Sequence, residues 1–102
     1  LHLFGAPQVL IVTTDAALGP YGLMACGAWV QMFMLAATAA GIASIAQAAI
    51  ARYSGFVRDW FSLADDRQVV CAISFGHPDL QHPANRFRTG RAAPDEVVTW
   101  RA

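Results

Sequence analysis

GAWVQMFMLAATAAGIASIAQAA, Gly27 to Ala49, sits inside a longer run from Ala16 to Ala51 that holds no Asp, Glu, Lys or Arg. Such a run can be a membrane span, a soluble helix covered on all sides, or part of a cofactor site. Length does not decide, because about 20 apolar residues are enough to cross a bilayer. Composition says more. The run is mostly Ala, Gly, Ser and Thr, with Gln31 near its middle, and it lacks a dense Leu/Ile/Val stretch. Small residues let two helix backbones approach closely, which suits a packed soluble helix or a seam between subunits. The flanks agree. Gln8 to Thr14 and Gln68 to Phe75 are β-branched and almost continuously apolar, the pattern of strands covered on both faces. Strands with open edges cannot face lipid, so a membrane span is disfavoured. The expectation is a helix from about Gly22 to Ala40, buried all round and ended by Gly41.

Outward from that helix the remaining elements follow. Asp15 to Tyr21, with Gly19-Pro20, reads as a loop. Ser54 to Leu63 reads as a second helix with Phe56, Val57, Trp60 and Phe61 on one face and Arg58 and Asp59 pointing away. Asp65-Asp66 marks a turn. The tail from Gly76 carries Pro78, Pro83 and Pro94, looks extended, and ends in a strand-like arm, Glu96 to Trp100.

The 102 residues allow one small domain, and seven basic against seven acidic residues give no net charge. No electrostatic footprint for nucleic acid or anionic lipid results. At 56% apolar and 14% charged, the chain is too apolar for an ordinary monomer of this size. It is expected to be covered by a partner or to belong to a larger protein. With Leu1 first and no basic segment before an apolar one, no signal peptide is expected. Cys26 and Cys71 lie far apart among apolar neighbours, which reads as buried free thiols in a reducing, cytoplasmic compartment.

Familiar chemical motifs are scarce: there is no Walker loop, GxGxxG, CxxC or HExxH. His77 and His82 lie in a proline-rich loop without a thiolate nearby, so exposed loop histidines are expected and no metal site. Ser74 lacks the G-x-S-x-G setting of a hydrolase nucleophile. Arg86, Arg88 and Arg91 fall within six residues beside Gly90. That grouping would suit a phosphate, since Arg makes bidentate charge-assisted bonds to it, but on the residues alone a solvated basic loop is the favoured reading.

Three blocks carry a family resemblance: GAPQVLIVTTD (5–15), ALGPYGLMACGAWVQMFMLAATAAGIASIAQAA (17–49) and VVCAISFGHPDLQHPANRFRTGRAAPDEVVTW (69–100). In this order and spacing the chain resembles the C-terminal half of an FMN-dependent nitroreductase. The resemblance implies an α+β fold, a central, mostly antiparallel sheet between helical layers. Residues 1–102 would be the C-terminal part of that single domain, with the N-terminal half absent. It further implies a homodimer seamed by the Gly22–Ala40 helix, with one FMN at each end of the interface. The C-terminal arm would cross to add a strand to the other subunit's sheet, which would satisfy backbone groups neither chain could satisfy alone.

By the same resemblance, Ile45 to Ala49 is a loop running along the flavin. The cofactor-binding residues are then Ala46, Gln47, Ala48 and Ala49, with a backbone N–H of Ala48 or Ala49 at the flavin N5/O4 edge. Arg88 and Arg91 would hold the FMN phosphate. The implied reaction is ping-pong: NAD(P)H gives a hydride to FMN and leaves, and a nitroaromatic or quinone-like acceptor is then reduced, with no side-chain acid or base assigned. Two departures stand out. Gln31-Met32-Phe33 replaces a frequent Gln-Asn-Leu, and Gly41-Ile42-Ala43 replaces a frequent Gly-Leu-Gly turn. The alternative is a non-catalytic dimerising fragment that binds no flavin by itself.

Overall fold

The structure is a computed structural model and describes residues 3–101. Its elements are β1 (Gln8–Asp15), α1 (Gly19–Ala39), β2 (Ala43–Gln47), α2 (Ser54–Phe61), β3 (Arg67–Gly76) and a single-turn α3 (Pro94–Val97). Short 3-10 segments fill Leu3–Gly5, Ala16–Leu18, Ala48–Tyr53 and Pro83–Arg86. The fold is α+β, built on one antiparallel sheet in the order β1-β3-β2.

β1 and β3 arise where β-branched residues run together, and β3 is central because both its neighbours hydrogen-bond to it. Its pairing with β1 runs from Gln8↔Phe75 to Val12↔Cys71 and then slips to Thr13↔Val69, leaving Val70 as an extra residue. This β-bulge puts Val70 and Cys71 together against Val12, while Val69 turns to the other face. Both faces of β3 are therefore buried, as expected from its apolar run: Val69, Cys71, Ala72, Ile73 and Ser74 are all inaccessible.

One face is closed by α1. The stripe Gly22, Cys26, Val30 and Phe33 recurs at helical spacing, and its apolar members pack over Leu10, Val12, Cys71 and Ile73. Phe33 also meets the edge of Phe75, with ring centroids 5.5 Å apart, and stacks on Trp29. Gly22 makes the close approach to β1 feasible. A methyl group there would sit 2.5 Å from Thr14 Oγ1. Ala72 and Ser74 alternate onto the opposite face, where the 3-10 segment Ala48–Tyr53 and α2 pack against β3.

Several expectations are corrected. α1 begins at Gly19, not Gly22, because Pro20 occupies its first turn, where a missing N–H costs nothing. The preceding loop is a 3-10 turn whose Ala17 N–H donates to Asp15 Oδ1 at 2.8 Å. Gly41 does end the helix: at φ 74° it directs the Ile42 N–H to Ala37 O and its own N–H to Thr38 O. Ala43 lies in β2 with no positive φ, so the missing second glycine of that turn is not needed.

The larger correction concerns cover. α1 is not buried all round, since a single sheet can bury only one stripe of a helix. Tyr21, Met24, Met32 and Leu35 are all at least 60% exposed. By length and composition this helix passes as a membrane span (Ala16–Ala39, mean hydropathy 1.4), and only 6% of that window is buried in the chain. It is nonetheless one layer of a sheet-containing fold, which a bilayer core does not accommodate. On α2 only Val57 is buried, whereas Phe56, Trp60 and Phe61 stay exposed.

Candidate functional site

The segment Ile45–Ala49, expected as a loop, is divided between two elements. Its first part belongs to β2, because Ile45 and Gln47 register against Ser74 and Ala72 of β3. At Ala48 the chain leaves the sheet and tightens into the 3-10 segment. The junction is therefore anchored by a ladder on one side and by the packing of the 3-10 segment against β3 on the other. Ala46, Ala48 and Ala49 are exposed, and their side chains are methyl groups. No side chain caps the 3-10 segment, so the N–H groups of Ala48 and Ala49 receive no partner from its cap residue, Gln47.

Gln47 itself is turned inward. Its amide Nε2 donates to Ser74 Oγ at 2.5 Å, and Ser74 is 1% exposed. This bond ties the end of β2 to the centre of the sheet and satisfies a hydroxyl that burial would otherwise leave unpaired. Ser74 is no nucleophile but a fixed post for the junction. Sequence reading gave Ser74 no role, because the partner is set by strand register and not by any local motif.

The tail arginines lie elsewhere on the surface. Arg88 Nη1 donates to Asn85 O at 2.6 Å and to Phe87 O at 2.9 Å. Arg91 Nη1 donates to Thr89 Oγ1 and to Gly90 O. Both side chains are exposed, and these bonds are all within their own loop. A guanidinium carries five N–H donors, so Nη2 and Nε of each remain open to an anion. The donor set suits a phosphate, although within this chain no hydrogen bond among the described residues links the arginines to Ala46–Ala49.

The expected strand-like arm is not a strand here. Pro94 to Val97 forms a helical turn with Asp95 and Glu96 near its positive end, and the Ala93 N–H donates to Glu96 Oε1 at 3.4 Å. A strand needs a neighbour to pair with, and this segment has none among the described residues. Leu80, Phe87, Val97 and Trp100 are at least 70% exposed along the same tail.

An open cavity of about 730 Å³ lies at the exit of β3, lined by Ser44 and Ile45 of β2, Phe75, and His77, Asp79 and Asn85 of the following loop. It borders the junction without including Ala46–Ala49. His82, exposed as expected, uses Nδ1 to accept the Ala84 N–H at 3.2 Å. Of the two free thiols, Cys71 is buried as expected and Cys26 only partly so. Burial, with Cys26 nearby, pushes the Cys71 thiol above its ordinary range.

Comparison with known proteins bears on these features. The sequence profile described as the Nitroreductase family matches residues 1–77. The 4-nitrobenzoate reductase of Pseudomonas putida is 34% identical over 88 residues, which is 86% of this chain but only 39% of that relative. Among solved structures, the FMN- and NADPH-dependent nitroreductase NfnB of Sphigopyxis sp. strain HMH superposes with a TM-score of 0.89 at 35% identity, over 97% of this chain and 44% of that one. The FMN-dependent nitroreductase NfnB of Mycobacterium smegmatis, in complex with NADPH, gives 0.89 at 31% identity over the same shares.

Proposed function

The chain belongs to the nitroreductase family, and from that membership we propose that it is the C-terminal part of a single-domain FMN-dependent oxidoreductase that takes reducing equivalents from NAD(P)H and passes them to nitroaromatic or quinone-like acceptors. The observation that carries the reading is the β2 junction, where small exposed residues leave uncapped N–H groups and one buried hydrogen bond holds the segment still.

When bound, FMN supplies the chemistry that takes a hydride from NAD(P)H and passes reducing equivalents to the acceptor. The chain's contribution is to hold and orient. Ala48 and Ala49 would offer backbone N–H groups to the polar edge of the ring, fixed dipoles that favour the charge developing there without a proton-transfer group. The methyl side chains of Ala46, Ala48 and Ala49 leave the ring's open face accessible to nicotinamide and then to a flat acceptor. Gln47, tied to Ser74, sets the position of that backbone. Arg88 and Arg91 would clamp the phosphate through the donors their own loop leaves open.

In this reading the protein is a cytoplasmic homodimer. The exposed outer stripe of α1 would lie against a second copy, and the tail would cross to it, exchanging its helical turn for a strand paired in trans. The local bonding of Arg88 and Arg91 favours the view that the 102-residue chain by itself does not hold FMN.

An assay of the full-length protein with FMN tests the function. It should oxidise NAD(P)H when a nitroaromatic such as 4-nitrobenzoate is supplied, with parallel lines in double-reciprocal plots as both substrates are varied. An absence of turnover with every nitroaromatic and quinone tried, at saturating FMN, would remove the reading.

A further inference from the structure

Flavin chemistry leaves unused a pair of thiols between α1 and β3. Cys71 sits at the centre of the apolar cluster with Val12 and Ile73, and Cys26 packs against that same cluster from α1. Neither is in a disulfide. The Cys26 thiol points to Thr13 O at 3.9 Å, and Thr13 follows Val12, the register partner of Cys71. Cys26 thus meets β1 at the residue next to the one that pairs with Cys71, and both belong to the packing of one apolar cluster. The nearness is also felt electrostatically, since Cys26 contributes, after burial, to raising the Cys71 thiol.

Access to the two is unequal. An open groove of about 460 Å³ between β1 and α1 is lined by Val12, Thr13, Gly22, Cys26 and Trp29, and Cys71 is not among its lining residues. Cys26 lies on the inner stripe of α1, so cover on the helix's outer side does not conceal it.

We propose that Cys26 and Cys71 form an oxidisable dithiol that peroxide closes into a disulfide fastening α1 to β3. The Cys26 thiolate attacks one peroxide oxygen, the O–O bond breaks, and the first water leaves once its oxygen is protonated. The product is a Cys26 sulfenic acid, its sulfur oxidised by two electrons. Cys71, as thiolate, then attacks that sulfur, and hydroxide leaves with a proton as the second water. Two thiols and one hydrogen peroxide become one disulfide and two waters. Because the resolving thiol is buried, closure is slow near neutrality and accelerates as pH rises past the ordinary thiol value of 9.0.

The test uses the full-length protein, kept folded, exposed to graded hydrogen peroxide, blocked with N-ethylmaleimide and digested without reductant. Mass spectrometry should find the Cys26 and Cys71 peptides joined, two hydrogens lighter than their sum, and separated again by dithiothreitol. Cys71→Ser should leave Cys26 as a sulfenic acid trapped by dimedone, and Cys26→Ser should leave Cys71 reduced. Oxidation of wild-type Cys26 to sulfinic acid without the cross-link, Cys26–Cys26 links between chains, or two unreacted thiols would each overturn the proposal. Phenylarsine oxide, which bridges two neighbouring thiols, gives a readout without peroxide. Wild type should hold one equivalent more than either single variant, and equal retention by all three would also overturn it.

Discussion

At the scale of residues, the hydrogen bond from Gln47 to Ser74 links fold to proposed function. It fastens the last residue of β2 to a hydroxyl at the centre of the sheet. Gln47→Leu should cost about 1–3 kcal/mol, because a buried hydroxyl is left without its partner. Adding Ser74→Ala should return part of that loss, since the orphaned group is removed as well, and urea unfolding of wild type and the two variants measures both effects. Cys71 sets a second expectation. Burial holds its thiol neutral, so the folded state keeps a proton that the unfolded chain releases above the ordinary value of 9.0. The resulting stability is complete below that pH and falls as pH rises past it. Under reducing conditions, unfolding midpoints should therefore drop more steeply on the alkaline side in wild type than in Cys71→Ala. Equal slopes would contradict the assigned burial.

At the scale of elements, what was legible depended on whether the signal was local. β1 and β3 could be read nearly to the residue, because an apolar β-branched run states its own cover. Gly41 announced the end of α1, and only the start was missed, where Pro20 was taken for a loop when it in fact opens the helix. β2 was read as loop because ASIAQ has a single strong strand former, Ile45, and its pairing is supplied by β3. The bulge at Val70 is a matter of register and has no sequence sign at all. The tail shows the same limit in reverse: Glu96 to Trp100 was read as a strand, but without a neighbour the chain folds its start into a helical turn. For α1, the outer stripe carries the expectation of a second copy. Met32→Glu with Leu35→Glu places two charges on that stripe without touching Cys26, Val30 or Phe33. Sedimentation should then show the full-length protein shifting from dimer to monomer. An unchanged dimer would move the seam elsewhere.

At the scale of the whole molecule, the chain is thin for its length. Its radius of gyration is 16.3 Å and its extents are 47 × 43 × 23 Å, whereas a compact domain of this length has a radius of roughly 13 Å. The buried apolar set is small (Val12, Val57, Val69, Cys71, Ala72 and Ile73), while Met24, Met32, Trp60, Phe87 and Trp100 stand open. This is the surplus of apolar surface that the composition announced, now located on α1, α2 and the tail. It accords with a chain that matches 39% of one relative's length. The three strands, the helical cover on both faces of β3 and the anchored junction are present among the described residues, and in the proposed reading the rest of the cofactor's enclosure comes from the remainder of the protein and a second copy. The most direct test is the visible spectrum of the purified full-length protein, with FMN supplied, under anaerobic conditions. The account predicts a yellow protein that retains flavin through gel filtration and bleaches on addition of NADH or NADPH. A colourless protein whose spectrum and fluorescence ignore added FMN would contradict it.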